Sequence, residues 1–295
     1  MEKTTTRAWV LLLLMAAIWG SSFILIKKGL LAFSPTQTAS IRVSAAVLTL
    51  LPFALPALGR FPRRRWPYLL GSGLMGILLP AFLFAFAQTR LDSAVAGVLN
   101  ALTPVFTLLV GMSFFKTPLA RNQLIGVMIG FLGAFSLVVT RTEARPLAFN
   151  TAGLLVIAAT ILYGINSNWI KKYLTGYPLL EVASLSLFII SPAALSGLWL
   201  TGVFQTWQTQ SGAGMAAAYL ILLGIFSTGL ATVLFYQLIQ MTSAVFASSV
   251  TYLIPLVALM WGTLDGENIG LAQLAGMGII LLGVWLINQR KAIGK

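Results

Sequence analysis

Apolar residues along this chain gather into long runs, and the polar residues between them are short interruptions. A helix that crosses a bilayer needs about 20 mostly apolar residues. Ten runs fit, at about 8–26, 36–58, 66–88, 92–113, 122–140, 151–170, 179–201, 215–239, 243–263 and 270–288. Proline or glycine stands in many of the breaks, as at Pro35, Gly59, Pro62, Pro118, Pro146, Pro178 and Gly202, where a helix has reason to stop. The longest break, 205–214, is polar but uncharged. The pattern predicts an all-α polytopic membrane protein with ten transmembrane helices. The first run exits through Lys27 and Lys28 without a small-residue cleavage site, which predicts a retained helix and not a secretory signal.

The same punctuation occurs twice. Trp19-Gly20-Ser21-Ser22 and then Lys27-Lys28 close the first run; Tyr163-Gly164-Ile165-Asn166 and then Lys171-Lys172 close the sixth, 144 positions later. Pro35 matches Pro178, Ser93-Ala94-Val95 matches Ser243-Ala244-Val245, Pro104 matches Pro255 and Gly111 matches Gly262. Gln123-Leu124 with Gly126 and Gly133 matches Gln273-Leu274 with Gly276 and Gly283, and the offset drifts only from 143 to 151. Two five-helix repeats are predicted, over 1–145 and 146–295. An odd helix count turns the second repeat upside down in the membrane. Inverted repeats of this kind build alternating-access carriers with the site near the midplane.

Composition removes other classes. Hydrophobic residues make up 58% and charged ones 8%, against roughly 25% charged in soluble domains. The net charge of +13 is spread singly or in short groups between apolar runs, so no nucleic-acid partner is expected. Its distribution instead follows the positive-inside rule. With the amino terminus inside, thirteen Lys and Arg fall in cytoplasmic segments and five outside. This predicts a multi-pass protein of the cell (inner) membrane with both termini cytoplasmic. There is no His and no Cys, so zinc and thiol chemistry lack their ligands. No paired carboxylates, nucleophile elbow or phosphate loop is present either. No enzyme, cofactor or metal is expected. Because no acid lies near the middle of a predicted helix, proton relays lack carriers, and facilitated transport or exchange is expected.

The Trp19-Gly20-Ser21-Ser22-Phe23 opening, Arg42 in the second helix, Pro104 in the fourth, Tyr252-Leu253-Ile254-Pro255, and Gly266-Glu267 followed by Gln273-Leu274-Ala275-Gly276 together resemble the EamA family of the drug/metabolite transporter superfamily. The resemblance covers essentially the whole chain. It implies a ten-helix carrier that exports or imports small metabolites, often amino acids. The family commonly places a glutamate between the fourth and fifth helices; Lys116 stands there in this chain, while Glu267 holds the corresponding place in the second repeat.

Polar and aromatic side chains inside the predicted helices are the candidates for the site, since polar groups in a bilayer turn toward a cavity or a neighbouring helix. For substrate binding these are Trp19, Ser22, Phe82, Phe86, Asn100, Tyr163, Asn166, Tyr236, Gln237, Ser248 and Tyr252. Ring faces with hydroxyls and amides, and no buried acid, suit a neutral, zwitterionic or anionic solute such as an amino acid. Pro104 and Pro255 are candidate gating kinks, each freeing the carbonyl four residues earlier. Arg42 and Asp92 share the predicted outer side and form a candidate gate pair; Arg42 could alternatively attract a substrate carboxylate. Gly126-Val127-Met128-Ile129-Gly130 is a helix-contact motif, marking the fifth and tenth helices as scaffold or as the face of a homodimer. The alternative functions are a lipid or lipid-linked substrate flippase and a multidrug efflux carrier.

Overall fold

The computed structural model describes residues 6–115, 121–142, 145–149, 151–242, 244–267 and 269–288. Four long helices open the chain: α1 (Thr6–Gly29), α2 (Pro35–Ala57), α3 (Arg63–Ala87) and α4 (Ser93–Phe115). Then come α5 (Arg121–Val138), a short antiparallel hairpin of β1 (Val139–Thr142) with β2 (Arg145–Phe149), α6 (Thr151–Tyr173) and α7 (Leu179–Leu200). After a short helix at Val203–Thr209, the chain ends in α8 (Ala213–Met241), the broken helix α9 (244–264) and α10 (Leu271–Asn288). The hairpin stands where the sequence predicted only the end of a helix and a loop. Among the described residues, seven helices are long and apolar enough to cross a membrane, and shorter apolar stretches occur at Leu124–Gly133, Ile254–Leu264 and Leu274–Gly283.

The fold is apolar outside and partly polar inside. Trp9, Leu13, Leu48, Phe53, Met128, Leu132, Leu256 and Trp285 lie exposed, while Thr38, Ser40, Ser72, Thr107, Thr160 and Ser186 are fully buried. That is the distribution expected when lipid is the solvent, because hydrocarbon offers polar groups no partner. Buried apolar residues form two clusters, one around α4 and the other around α2, α3 and α7, and Trp19 packs against both.

Small residues set how closely the helices approach. A Cβ on Gly20 would sit 2.5 Å from Val257 Cβ of α9, and one on Gly164 would sit 2.7 Å from the Phe106 carbonyl carbon of α4. The repeated glycine is therefore a crossing point in both halves; α6 continues through it unbroken, whereas α1 has a one-residue break at Ser21 just after it. Trp261 Nε1 donates to Ser21 Oγ across the first crossing, and Asn168 Nδ2 donates to Thr107 O across the second. The glycine face of α5 meets α10 within the chain: Cβ atoms on Gly133 and Gly283 would fall 2.7 Å from Ile280 N and 2.5 Å from Gly130 N.

Helix ends gather at two rims. At one, Ser34 caps α2 in a capping box with Gln37, whose amide also reaches Thr201 O and Thr206 Oγ1 beyond α7. At the other, Lys171 Nζ donates to the carbonyls of Ile239 and Thr242 at the end of α8, and Arg65 Nε donates to Tyr177 Oη.

Candidate functional site

Four helices depart from regular geometry at the centre of the molecule. In α3, Leu79 N–H bonds to Leu74 O, and in α8, Ala231 N–H bonds to Phe226 O. Both are five-residue closures that widen the helix, a feature that frequently marks functional sites. In α4, Thr103 N–H bonds to Asn100 O, and in α9, Leu253 N–H bonds to Val250 O, tightening the helix just ahead of Pro104 and Pro255. The proline removes the normal donor to Asn100 O, and the Thr103 hydroxyl takes it over at 2.8 Å. That carbonyl is satisfied within the helix and is not offered to a solute.

These irregular segments surround a cavity of about 100 Å³, counted as the space open to the centres of water molecules. A single water needs roughly a tenth of that. Trp19, Ser22, Phe23 and Ile26 of α1 line it, with Arg42 of α2, Gly76, Ile77 and Phe84 of α3, and Asn100 and Thr103 of α4. From the second half come Tyr163 and Asn166 of α6, Ser227, Thr228, Thr232, Phe235 and Tyr236 of α8, and Thr251 of α9. Many lining residues fall into pairs at two separations. Trp19 with Tyr163 and Ser22 with Asn166 are 144 apart; Gly76 with Ser227, Ile77 with Thr228, Phe84 with Phe235 and Asn100 with Thr251 are 151 apart.

The walls are aromatic and hydroxylated. Trp19 meets Phe235 edge-on at 5.1 Å, and Phe84 bridges Phe23 at 5.5 Å and Tyr163 at 6.2 Å. Trp19 Nε1 donates to Ser227 O in the widened turn of α8, and Ser22 Oγ and Ser227 Oγ stand 2.6 Å apart. Tyr236 Oη and Ser72 Oγ are 2.7 Å apart. Asn166 lies against Gly76, where an added Cβ would fall 2.1 Å from its amide nitrogen, and its Oδ1 has no hydrogen-bond partner among the described residues. Arg42 is 8% exposed, and its Nε and Nη2 reach Thr228 Oγ1 at 3.3 and 3.2 Å.

Of the sequence-predicted binding residues, the cavity brings together Trp19, Ser22, Asn100, Tyr163, Asn166 and Tyr236. Phe82 and Phe86 do not line it. Phe82 packs against the α2–α3–α7 cluster and Phe86 is 45% exposed. Their i, i+4 spacing does place them together, but on the face opposite Phe84. Gln237 likewise lies next to the lining residue Tyr236 and outside the lining itself. The side chains of Ser248 and Tyr252, and all of Lys116, lie outside the described residues. Phe84, Ser227 and Thr228 were missed; of these only Phe84 has a like residue, Phe235, at the repeat offset.

The expected Arg42–Asp92 pair is not formed. Arg42 faces the cavity, whereas Asp92 starts α4 without capping it. The cap comes from another loop. Glu267, its side chain 1% exposed, accepts from Ser93 N at 3.0 Å, Ser93 Oγ at 2.6 Å and Ala94 N at 3.1 Å. It also pairs with Lys27 at 2.9 Å, Lys27 pairs with Asp265 at 2.8 Å, and Lys28 pairs with Asp265. Burial works to raise the Glu267 carboxyl, but the bonds from Ser93, Lys27 and the α4 backbone outweigh it and hold it below the usual carboxylate range. Asp265 is held low by Lys27 and Lys28. Asp92 is pushed up by burial and by the charge of Glu267, against a smaller pull from Lys27.

Comparison with known proteins agrees with this architecture. The model of the EamA-like transporter family matches residues 6–139 and again 150–289. A probable terminal-alkyne amino-acid exporter of Streptantibioticus cattleyicolor is 26% identical, over 98% of this chain and 95% of its own. A probable amino-acid metabolite efflux pump of Salmonella typhimurium is 28% identical, over 94% of this chain and 93% of its own. A crystal structure at 16% identity superimposes with a TM-score of 0.66, covering 96% of both chains, and so shares the fold. With the family model matched twice across nearly its full length, the chain belongs to the EamA-like transporter family.

Proposed function

We propose that this membrane transporter is a secondary carrier of small metabolites such as amino acids, acting as an exporter or facilitator, and that it works by alternating access to the central cavity. In this reading ten helices cross the inner membrane as two inverted repeats, 1–145 and 146–295, with both termini cytoplasmic. Support for the inversion comes from helices that correspond between the halves. Gln37 and Ser40 of α2 meet Thr201 and Gly197 along α7 in opposite order. Gly130 and Gly133 of α5 meet Gly283 and Ile280 of α10 in opposite order too. Corresponding helices that pack antiparallel belong to repeats of opposite orientation.

The observation that carries the function is the cavity itself. It combines aromatic walls with hydroxyl, amide and guanidinium groups, lies amid a protein whose exterior is apolar, and draws equivalent residues from both halves. Trp19, Phe84, Tyr163 and Phe235 offer ring faces, while Ser22, Asn100, Asn166 and Thr228 offer hydrogen bonds. No acid lines it among the described residues. This chemistry fits an amphipathic solute of modest size, and the two relatives above are named as a probable exporter of a terminal-alkyne amino acid and a probable efflux pump for amino-acid metabolites. Purified protein in liposomes preloaded with unlabelled amino acid should accumulate the labelled form by counterflow. Flux of none of the twenty amino acids above empty liposomes would exclude amino acids as cargo.

A further inference from the structure

Among the described residues, Arg42 is the one charged residue lining the cavity. Of the six acids in the chain, Asp265 and Glu267 are committed to Lys27 and Lys28 at the rim, and Asp92 feels Glu267 and Lys27. No ion pair to Arg42 occurs among the described residues. A guanidinium carries five N–H donors. Nε and Nη2 converge on one hydroxyl, Thr228 Oγ1, and Nη1 has no partner among the described residues. Burying an unpaired ion costs several kcal/mol, so a cation kept at 8% exposure beside open space calls for an anion that arrives and leaves. The backbone fixes it there, since Gly224 of α8 lies so close that a Cβ on it would fall 2.4 Å from Arg42 O.

We infer that Arg42 anchors a carboxylate of the cargo, making a carboxylate group the determinant that the cavity selects. This rests on the carrier reading above and names the group that the carrier recognises. One buried cation balances one negative charge. A phosphate monoester carries nearly two, and the excess would stay uncompensated in a low-dielectric site. The flat guanidinium fork also matches a carboxylate in a bidentate way that an ammonium cannot. Thr228 Oγ1, already accepting from Arg42, holds the fork in orientation.

The test uses isovalerate and its neutral isostere isovaleramide on the full chain in detergent, read as the shift in thermal midpoint with concentration. The acid should stabilise the wild type and the amide should not. Arg42→Gln should weaken the acid's effect about tenfold to a hundredfold, in keeping with charge-assisted hydrogen bonds, and Arg42→Lys should keep part of it. Equal shifts from acid and amide, no shift from either, or an acid effect that survives Arg42→Gln would overturn the inference. Should the glutamine variant fail to fold, the wild-type comparison of acid with amide decides alone. Counterflow of labelled leucine separates this from the carrier reading. Acid binding at Arg42 without flux of leucine or any other of the twenty amino acids leaves the anchor standing and removes the amino-acid reading. Leucine and leucinamide exchanging equally well would remove the anchor and leave carriage intact.

Discussion

Gly76 and Asn166 share one small volume. The widened turn of α3 exposes Gly76 to the amide of Asn166, and a methyl there would overlap Nδ2 at 2.1 Å. Overpacking a tight site costs about 1–3 kcal/mol, and here the side chain that must yield is one that lines the cavity. Gly76→Ala is therefore expected to lower counterflow about tenfold and to lower the thermal midpoint. In an Asn166→Ala background the same substitution should cost little stability, because the overlap is gone; equal losses in both backgrounds would mean the two residues are uncoupled. Single residues were also where the sequence was hardest to read. Trp19 and Tyr163 stood out because aromatic-glycine pairs recur at a fixed offset. Phe84 did not, because Phe82, Phe84 and Phe86 lie in one apolar run and composition cannot tell which face meets the cavity. Only its match to Phe235 at the offset of Pro104 and Pro255 marks it.

Among elements, the long helices were legible, since a bilayer demands length and apolarity together. Their irregularities were not. A helix surrounded by lipid and other apolar helices has no strong polar stripe, so the shift to five-residue closure in α3 and α8 leaves no periodic trace. Connections between elements were equally hidden: Asp92 sits at the cap position of α4, yet Glu267, 174 residues beyond Ser93, makes the cap. Glu267 thereby ties the loop after α9 to the start of α4 and to Lys27 of α1, a latch across one rim. Glu267→Gln keeps a hydrogen-bonding side chain but removes the charge, and should favour opening of that rim by about 1–2 kcal/mol. The chain has no cysteine, so a single Ser22→Cys reports on access. Its labelling by a membrane-impermeant maleimide should speed up about tenfold with Glu267→Gln; an unchanged rate would mean that Glu267 is a cap alone. The pH dependence follows in sign. Glu267 and Asp265 are held below the ordinary carboxylate range near about 4, so the latch is fully charged above that range. It weakens only as pH falls through the lowered values. Labelling, normalised at each pH to the thiolate fraction because the thiolate is the reacting species, should therefore be flat from about pH 5 to 8 and rise below about pH 4.

For the molecule as a whole, the two rims are built alike in outline and differ in chemistry. Lys27 and Lys171 occupy matching places, 144 apart. Lys27 meets two carboxylates, whereas among the described residues Lys171 meets the carbonyls of Ile239 and Thr242 at the end of α8. The sequence accounts for this, because the residue matching Glu267 at the 151 offset is Lys116. One rim is thus ionic, the other is held by bonds to carbonyls and by the Arg65–Tyr177 bond, and no carboxylate lies between them on the described cavity lining. A proton carried across the membrane needs groups that take it up and release it along the path, and in transporters these are normally Asp, Glu or His. Asp265 and Glu267 sit at one rim, are held below the usual carboxylate range and are paired with lysines, so they do not change charge during a cycle near neutral pH. Transport is therefore expected to follow the solute's own gradient. In liposomes loaded with unlabelled solute, counterflow of label should change less than about twofold on adding a protonophore, and an imposed pH gradient alone should drive no uptake. Collapse of counterflow with the protonophore, or uptake driven by the pH gradient, would require a proton carrier in the transport path and would end the facilitated-exchange reading.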